Sequence, residues 1–433
     1  MTIEDRVGEL VPKWREVRAR ILEEKGDHVL GECTVAAAFG GMRGLKSMIC
    51  ETSEVDANVG LSIRGHFLLD ILDLWPEQTF LLLLTGEIEP LDGELVADFR
   101  RQMDVRARVP SYVFDVLRAM PKDSHPMAML NTGILVMERE SAFRAAYAEG
   151  MSKEDFWLPT LEDSLTVLAR APGVAAMVYR LKYDKGEPIA WTPGLDWGAN
   201  FAKMLGIPDP SGDFAKLMRV FLHFHCDHEA GNVSANACHT VGSALSDAYY
   251  AVSAGLNGLA GPLHGLANQN VLSWLLETME RFGGAPTNEQ IRDFAFETLR
   301  AGQVIPGYGH PVLRVTDPRF TGFLRFGQQH CADDPLFQTV NRIYETVPKV
   351  LEEYSAERER EGRGPIANFW PNVDAGSGAL IYHYGLTEIA FYTVLFSVSR
   401  CMGLLSQLIW NRAVGTPITR PKSVSLKFLD KLA

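Results

Sequence analysis

The sequence predicts an all-α protein in which many helices form two domains. Apolar residues recur at three- and four-residue spacing in most segments after residue 67, as they do on the buried face of a helix. Runs that alternate apolar and polar residues, as strands do, are scarce. The length of 433 residues exceeds what one compact core usually holds, which indicates two domains.

The first half begins with a charged amphipathic pattern at residues 7–24, which predicts a helix. Residues 31–63 mix Gly40, Gly41 and Gly44 with β-branched residues, and this predicts loop and short strand. Further helices, each bounded by Gly, Pro, Asp or Ser, are predicted at residues 67–74, 80–84, 113–120, 127–136 and 161–168.

The second half continues the helical pattern. Helices are predicted at residues 214–223, 244–255, 269–281, 290–301, 340–354, 379–384 and 391–414. The last of these is apolar nearly all round, which predicts burial between other helices or at a subunit interface. Residues 352–364, where Glu and Arg alternate before Gly-Arg-Gly, predict a solvated loop.

Composition and charge limit the classes of function. A hydrophobic fraction of 46% and a net charge of -12 are typical of a soluble globular protein and argue against a nucleic-acid surface. The six cysteines show no paired spacing, which predicts a reducing, cytoplasmic location. No apolar signal segment opens the chain, and the uncharged residues 248–276 contain too many Gly, Asn and Pro for a membrane span. We therefore predict no membrane association.

Four segments rich in Gly or Pro each present one polar side chain in an apolar setting. These side chains are His239, His264, His310 and Asp374. Imidazoles and a carboxylate at tight turns suit proton transfer around a carbonyl compound. Each also has a structural alternative: a histidine bonded to backbone, or, for Asp374, an N-cap of the helix that follows.

His264 precedes a long apolar run, so we expect it near a helix N-terminus, where the dipole lowers its pKa and favours the neutral ring. Arg400 interrupts an apolar helix, and arginine is rarely buried without a partner. Together with Arg314, Arg319 and Arg420 it suits bidentate binding of a di- or tricarboxylate. Solvated surface charge is the simpler alternative for Arg314 and Arg420.

The segment 222–229, Leu-His-Phe-His-Cys-Asp-His-Glu, is dense in possible metal ligands. On a helix His225 and His228 share a face while His223 does not, and no spacing matches a common zinc pattern. We predict no metal site. Gly307-Tyr308-Gly309 is too short for a dinucleotide-binding motif.

Five long motifs in order resemble citrate synthase, of the dimeric type found in mitochondria and some bacteria. They are Asn-Val-Ser-Ala at 232–235 with Val-Gly-Ser-Ala-Leu-Ser-Asp at 241–247, Asn-Gly-Leu-Ala-Gly-Pro-Leu-His-Gly at 257–265, Pro-Gly-Tyr-Gly-His-Pro-Val-Leu-Arg at 306–314, Pro-Asn-Val-Asp-Ala at 371–375, and Gln-Leu-Ile-Trp at 407–410 with Arg-Pro-Lys-Ser at 420–423. The likeness extends from residue 33 to residue 423.

The resemblance implies an almost all-helical fold with a large domain at 1–265 and 386–433 and a small domain at 266–385 that closes over the substrates. It also implies a catalytic trio. Asp374 would remove a proton from the acetyl methyl group of acetyl-CoA while His264 donates to the thioester oxygen. His310 would polarise the oxaloacetate carbonyl, and water would then hydrolyse the citryl thioester to give citrate and coenzyme A.

Further site residues follow from the resemblance alone. Oxaloacetate would be held by His239, Arg319, Arg400, Phe396 and, from the neighbouring subunit of a homodimer, Arg420. The residues implied for coenzyme A are Arg43, Arg314, Val304, Ile305, Pro306, Gly307, Tyr308 and Gly309. The coenzyme A thioester is a co-substrate, and neither a prosthetic group nor a metal is implied.

The chain departs from the family pattern at secondary positions. An expected arginine stands one place away, at Arg144, lysines are missing before the Asp374 motif, and Asn236 and Gly376 replace frequent histidines. The nearest rival function is that of a 2-methylcitrate synthase that uses propionyl-CoA, because one methylene is weakly discriminated. Two hypotheses from different classes are a metal-dependent lyase and a non-catalytic carboxylate-sensing relative. The second of these conflicts with a complete trio.

Overall fold

The computed structural model describes residues 1–310 and 312–432, and it confirms the all-α prediction. The helices of the first half are α1 (Ile3–Lys25), α2 (Val35–Phe39), α3 (Pro76–Thr85), α4 (Glu94–Arg106), α5 (Ser111–Ala119), α6 (Pro126–Leu135), α7 (Ala142–Ala148), α8 (Trp157–Lys182), α9 (Trp197–Leu205) and α10 (Asp213–Phe224). Those of the second half are α11 (Val233–Ser243), α12 (Ala248–Leu259), α13 (Ala267–Phe282), α14 (Asn288–Arg300), α15 (Pro318–His330), α16 (Pro335–Arg360), α17 (Asp374–His383), α18 (Tyr392–Val414) and α19 (Leu426–Leu429).

The strands form one small antiparallel sheet in the order β1 (Ser53–Asp56), β2 (Gly60–Ile63) and β3 (His66–Phe67). Val55 pairs with Leu61 and Ser62 with Phe67. Single 3-10 turns occur at Leu68–Asp70, Val136–Glu140, Lys153–Asp155 and Ile389–Phe391. The strand expected between residues 31 and 63 is therefore present.

The core is centred on two long helices, α8 and α18. α18 packs on α3, α8, α11 and α12, and its side chains are buried nearly all round, as its uniform apolarity predicts. Among the described residues, one stretch, Ile389–Val414, is long and apolar enough to cross a membrane, and 83% of its most apolar window is buried inside the protein. A second group of helices, α13 to α17, meets this core where α15 and α17 contact α10.

Three predicted elements differ from the structure. Residues 67–74 are not helical but form β3 and a 3-10 turn, because the apolar Leu68 packs under the sheet and Pro76 restarts the chain as α3. The helix expected at 244 begins at Ala248, since the Asp247 carboxylate accepts the N–H groups of Tyr249 and Tyr250. α16 continues through Glu352 to Arg360, so the predicted loop is shorter.

Candidate active site

The two loops that carry His310 and Asp374 pair with each other. Asn372 N donates to the Gly307 carbonyl at 2.9 Å, and Gly309 N donates to the Trp370 carbonyl at 3.2 Å. The Asn372 side chain adds a bond to the Gly309 carbonyl at 3.1 Å. Because this pairing is antiparallel, His310 and Asp374 leave it at opposite ends. The charge of Arg319 acts on both of them.

Gly307 makes this approach possible. Its φ of +80° lies in the left-handed region, and a Cβ there would stand 2.9 Å from both Ala375 Cα and Val271 Cγ2. A side chain would therefore push the loop away from the first turn of α17. Gly307 therefore allows a close approach of the loop to α17.

His264 lies in the turn before α13, but the helix end that it meets is that of α11. The Ser234 N–H, in the first turn of α11, donates to His264 Nε2 at 3.4 Å, and Ser234 Oγ lies 3.0 Å from the same atom. Because Nε2 accepts, we assign the proton of the neutral ring to Nδ1. Burial, and to a smaller extent the charge of Arg400, lowers the pKa of His264 to about 4.

His310 carries its proton on the opposite nitrogen. Its Nδ1 accepts the backbone N–H groups of Val312 at 3.1 Å and Leu313 at 3.0 Å, which leaves Nε2 as the protonated donor. Burial and the nearby Arg319 charge lower its pKa to about 4. Both histidines are therefore neutral at physiological pH, and each presents one N–H.

Asp374 is the first residue of α17, yet its carboxylate does not cap that helix. The cap position is Val373, and Asn372 Oδ1 accepts the Asp374 N–H at 3.0 Å. In the described part of the chain no hydrogen-bond donor occupies the Asp374 carboxylate, which is half-buried. Burial raises its pKa to about 6, against the opposing charge of Arg319. The carboxylate is thus an unoccupied base.

Two buried arginines, Arg319 and Arg400, act on His264, His310 and Asp374, and we call these five residues the cluster. The two arginines are partnered differently. Arg319, 4% exposed, binds Asp317 through Nε at 3.0 Å and Nη2 at 2.6 Å. Arg400, 1% exposed, donates Nε to the His225 carbonyl at 3.0 Å and lies over the Phe396 ring at 4.7 Å. Its Nη1 is buried without a partner among the described residues.

These charges reach all three candidate catalytic groups. Arg400 lowers the pKa of His264, Arg319 lowers that of His310, and both lower that of Asp374. A buried N–H that no protein acceptor satisfies is costly unless a ligand completes it. The arrangement can therefore bind carboxylates and move protons in the same space.

His228 lies beside this cluster although the sequence pattern pointed elsewhere. Its ring lies 5.5 Å from that of His310, and its Nε2 is buried without a partner in the described residues. Burial and the Arg319 charge hold its pKa well below the usual range. The sequence signal that could have identified His228 was the segment 222–229, which is rich in possible ligands. Its spacing was compared only with metal-binding patterns.

His239 bonds to the far part of α18, although the sequence predicts it in the substrate site. Its Nδ1 bonds to the Asn411 amide at 2.8 Å, in a pocket that Cys50 and Asp227 also line. Asn411 lies eleven residues beyond Arg400 on α18, and at about 1.5 Å per residue that is roughly 16 Å along the helix. One face of α11 meets His264 while His239 points to the far end of α18.

His223 and His225, the other histidines of the segment 222–229, have structural partners. His223 lies 2.7 Å from Thr79 Oγ1 and 2.8 Å from the Ile71 carbonyl. His225 bonds to the Phe221 carbonyl through Nδ1. Among the described residues, no group of three or more His, Cys, Asp or Glu is arranged to hold a metal ion.

The residues expected to hold coenzyme A are less concentrated. Val304 is 79% exposed and Ile305 is buried, on the loop that leads to His310. Arg314 bonds through Nη1 to the Val312 and Leu313 carbonyls. Arg43 is exposed. Arg420, which was predicted to reach the oxaloacetate site of a neighbouring subunit, is exposed on the C-terminal segment. Pro306, Gly307, Tyr308 and Gly309 complete the paired loop.

The fold and the cluster define a class of protein: a helical enzyme that transfers protons on a substrate bearing carboxylates. Residues 41–422 match the family described as citrate synthase, C-terminal domain. The chain belongs to the citrate synthase family, as its motifs predicted. It is a transferase that forms citrate in the tricarboxylic acid cycle.

Similar proteins agree along the whole chain. The mitochondrial citrate synthase of Daucus carota is 44% identical over 440 residues, covering 99% of this chain and 90% of its own length. That of Saccharomyces cerevisiae (strain ATCC 204508 / S288c) is 44% identical over 441 residues, covering 100% and 89%. The structure of citrate synthase from Pyrobaculum aerophilum, at 24% identity, has a TM-score of 0.79 and covers 92% and 95%, which shows the fold alone.

The predicted cytoplasmic location is wrong. The matched relatives from carrot and yeast, and also those from Arabidopsis thaliana and Citrus maxima, are named as mitochondrial. The inference from cysteine spacing failed because that spacing excludes an oxidising compartment and does not separate one reducing compartment from another.

Proposed function

We propose that this chain condenses acetyl-CoA with oxaloacetate at the cluster of His264, His310 and Asp374, and hydrolyses the citryl thioester to citrate and coenzyme A. The observation that carries the proposal is the Asp374 carboxylate, which has a raised pKa and no donor among the described residues. The charges of Arg319 and Arg400 act on it and on two neutral histidines, and the Arg400 Nη1 has no partner in the same residues. A base, two donors and a carboxylate-binding cation are what such a condensation requires.

Asp374 removes the proton from the acetyl methyl group. A pKa near 6 leaves it ionised at neutral pH and makes it a stronger base than an exposed carboxylate. His264 donates Nδ1–H to the thioester oxygen, so charge that develops there is shared in a hydrogen bond. The neutral ring suits this role because its own pKa is low, near 4.

His310 donates Nε2–H to the keto oxygen of oxaloacetate while the new carbon–carbon bond forms. The two backbone N–H groups on its Nδ1 hold the ring in this tautomer. Arg319 and Arg400 bind the substrate carboxylates, and Phe396 packs on the Arg400 guanidinium. His228, whose buried Nε2 has no partner in the described part of the chain, takes the substrate-binding role first expected of His239.

We assign coenzyme A to the side where the loop 304–309 lies, with Arg314 and Arg43 as phosphate-binding residues. Exposed apolar side chains on the C-terminal segment, Ile418, Val424 and Phe428, support a homodimer in which a partner covers them. In that dimer Arg420 reaches the neighbouring site. The lysines that the family has before the Asp374 motif are missing, and Arg144 is paired with Glu138 at 2.8 Å. Any further contacts to the coenzyme A phosphates must therefore come from residues other than these.

The domain bounds are proposed as 1–265 with 386–433, and 266–385. Two bonds cross this division close to the cluster: Arg314 N donates to the Ala57 carbonyl at 2.7 Å, and Gln269 Nε2 to Thr393 Oγ1 at 2.9 Å. Rotation of the smaller domain would break such bonds and open the site. Closure would exclude water during enolisation.

Thiol release from acetyl-CoA, with and without oxaloacetate, tests the proposal. We expect release only with oxaloacetate in the parent. Asp374→Asn should lower kcat by at least about 1,000-fold, because a positioned base is removed, while oxaloacetate binding and the unfolding midpoint remain. Turnover of Asp374→Asn near that of the parent would refute the mechanism.

A further inference from the structure

Three consecutive residues, 225 to 227, lie along one turn of α18. The His225 carbonyl accepts Arg400 Nε at 3.0 Å, and the Cys226 carbonyl accepts Gly403 N at 3.2 Å. A Cβ on Gly403 would stand only 2.5 Å from Asp227 Cγ. Glycine at 403 therefore lets the Asp227 carboxylate press against the helix one turn beyond Arg400.

Asp227 is 2% exposed and is held from the opposite side by two hydroxyls. Thr52 Oγ1 donates to Asp227 Oδ2 at 2.5 Å and Ser53 Oγ donates to the same oxygen at 2.8 Å. Both donors come from the start of the small sheet. These bonds tether the carboxylate beside the helix, so it acts on Arg400 through space while Nη1 stays without a partner among the described residues.

The two arginines of the cluster are therefore balanced in different ways. Asp317 binds Arg319 face to face through two hydrogen bonds. Asp227 raises the pKa of Arg400, against burial and the like charge of Arg319, and Cys226 and Asp374 act in the same direction as Asp227. A face-to-face carboxylate would occupy the N–H groups that a substrate needs, whereas an offset one supports the charge and leaves them free.

We propose that Asp227 is a positioning residue for the dicarboxylic keto-acid substrate: an offset counter-ion that keeps Arg400 charged with Nη1 available, and an anchor for the turn that carries His228. The proposal rests on the substrate site proposed above. It assigns to Asp227 no contact with the reacting atoms.

Asp227→Asn tests this with the full-length protein, because the amide oxygen can still accept from Thr52 and Ser53 while the charge is lost. We expect the oxaloacetate KM and the Kd measured by calorimetry to rise about tenfold or more, as loss of a nearby buried charge predicts. kcat and the acetyl-CoA KM should stay within about threefold of the parent, as befits a group that acts through binding. As pH rises, Arg400 loses its proton and oxaloacetate affinity declines. In Asp227→Asn this decline should begin at a lower pH than in the parent, because the charge that supports protonated Arg400 is gone.

Asp163→Asn is the matched control, since Asp163 is equally buried, accepts Ser141 Oγ at 2.7 Å and lies outside the cluster. It should lower the unfolding midpoint and leave the oxaloacetate Kd unchanged. A folded Asp227→Asn with parental Kd and pH profile would overturn the proposal. If that variant does not fold, Thr52→Val serves instead, because it keeps the Asp227 charge and removes one of the two hydrogen bonds to it. Thr52→Val should raise the oxaloacetate Kd about threefold, and an unchanged Kd would overturn the proposal.

Direct binding keeps this result separate from the proposed function. Asp374→Asn with parental turnover, alongside a weakened oxaloacetate Kd in Asp227→Asn, would refute the mechanism and leave the role of Asp227 standing. Absence of oxaloacetate binding by the parent would refute both.

Discussion

Replacing Arg400 with methionine should abolish oxaloacetate binding without destabilising the protein. The guanidinium is 1% exposed, and burial lowers its pKa to about 10, well below its ordinary value. At about 1.4 kcal/mol per pKa unit, that difference places the cost of keeping the charge buried at about 3 kcal/mol. Arg400→Met removes this cost and keeps most of the volume.

Two losses offset the gain. The His225 carbonyl loses its Nε donor at 3.0 Å, worth about 1 to 2 kcal/mol for a bond to a charged group. The guanidinium also leaves the Phe396 ring at 4.7 Å, although the methionine thioether packs well on an aromatic face. The free energy of unfolding should therefore stay at the parental value or rise by about 1 kcal/mol.

Denaturant unfolding with and without oxaloacetate measures both halves of this prediction. Oxaloacetate should raise the midpoint of the parent, because it binds only the folded state, and should leave that of Arg400→Met unchanged. Arg400→Lys is the control: it retains a charge without the planar donors, so it should not gain stability. A fall of more than about 1 kcal/mol in Arg400→Met would mean that the arginine serves the fold, against the general behaviour of buried charges.

Three further predictions concern the same cluster. Gly307→Ala should cost about 2 kcal/mol of stability and lower kcat, because its φ of +80° and the 2.9 Å approach to Ala375 strain any side chain; parental thermal stability and kcat would contradict this. As pH falls, kcat should decline with an apparent pKa near 6, because Asp374 is a base only when ionised and the histidines, with pKa values near 4, are still neutral there. An acid-side decline of kcat that is unchanged in Asp374→Glu and follows histidine protonation would refute the assignment of Asp374 as the base. His228→Ala should raise the oxaloacetate KM at least about tenfold, and His239→Ala should not; the reverse order would restore His239 to the site.

Much of the fold was readable from the sequence because apolar spacing reports which face of a helix is buried. α18 is the clearest case: uniform apolarity predicted burial all round, and the structure shows it. The helices α9, α11 and α15 carry many polar or small residues, so their spacing was not recognised. Residues 67–74 show the opposite failure, where helical spacing occurs in a segment too short, between a strand and a proline, to form a helix.

The candidate site was predictable wherever a local rule sufficed. Glycines at 307 and 309 marked a tight loop, and Arg400 was conspicuous as a charge inside an apolar helix. The choice between His228 and His239 followed no local rule, since both stand in polar, turn-rich surroundings. The proposal of His228 in place of His239 rests on where α11 meets α18.

By itself, the sequence determined the helical class and the family, and it singled out the residues that we propose as base, donors and buried cations, because these depend on residue type and order. Only the tertiary structure decided which helix end meets His264, which tautomer each ring adopts, and that the Asp374 carboxylate is free of its own helix. Those properties depend on groups distant in the chain, such as Ser234 for His264 and Asn372 for Asp374, and hydrogen bonds between such groups exist only once the helices are packed.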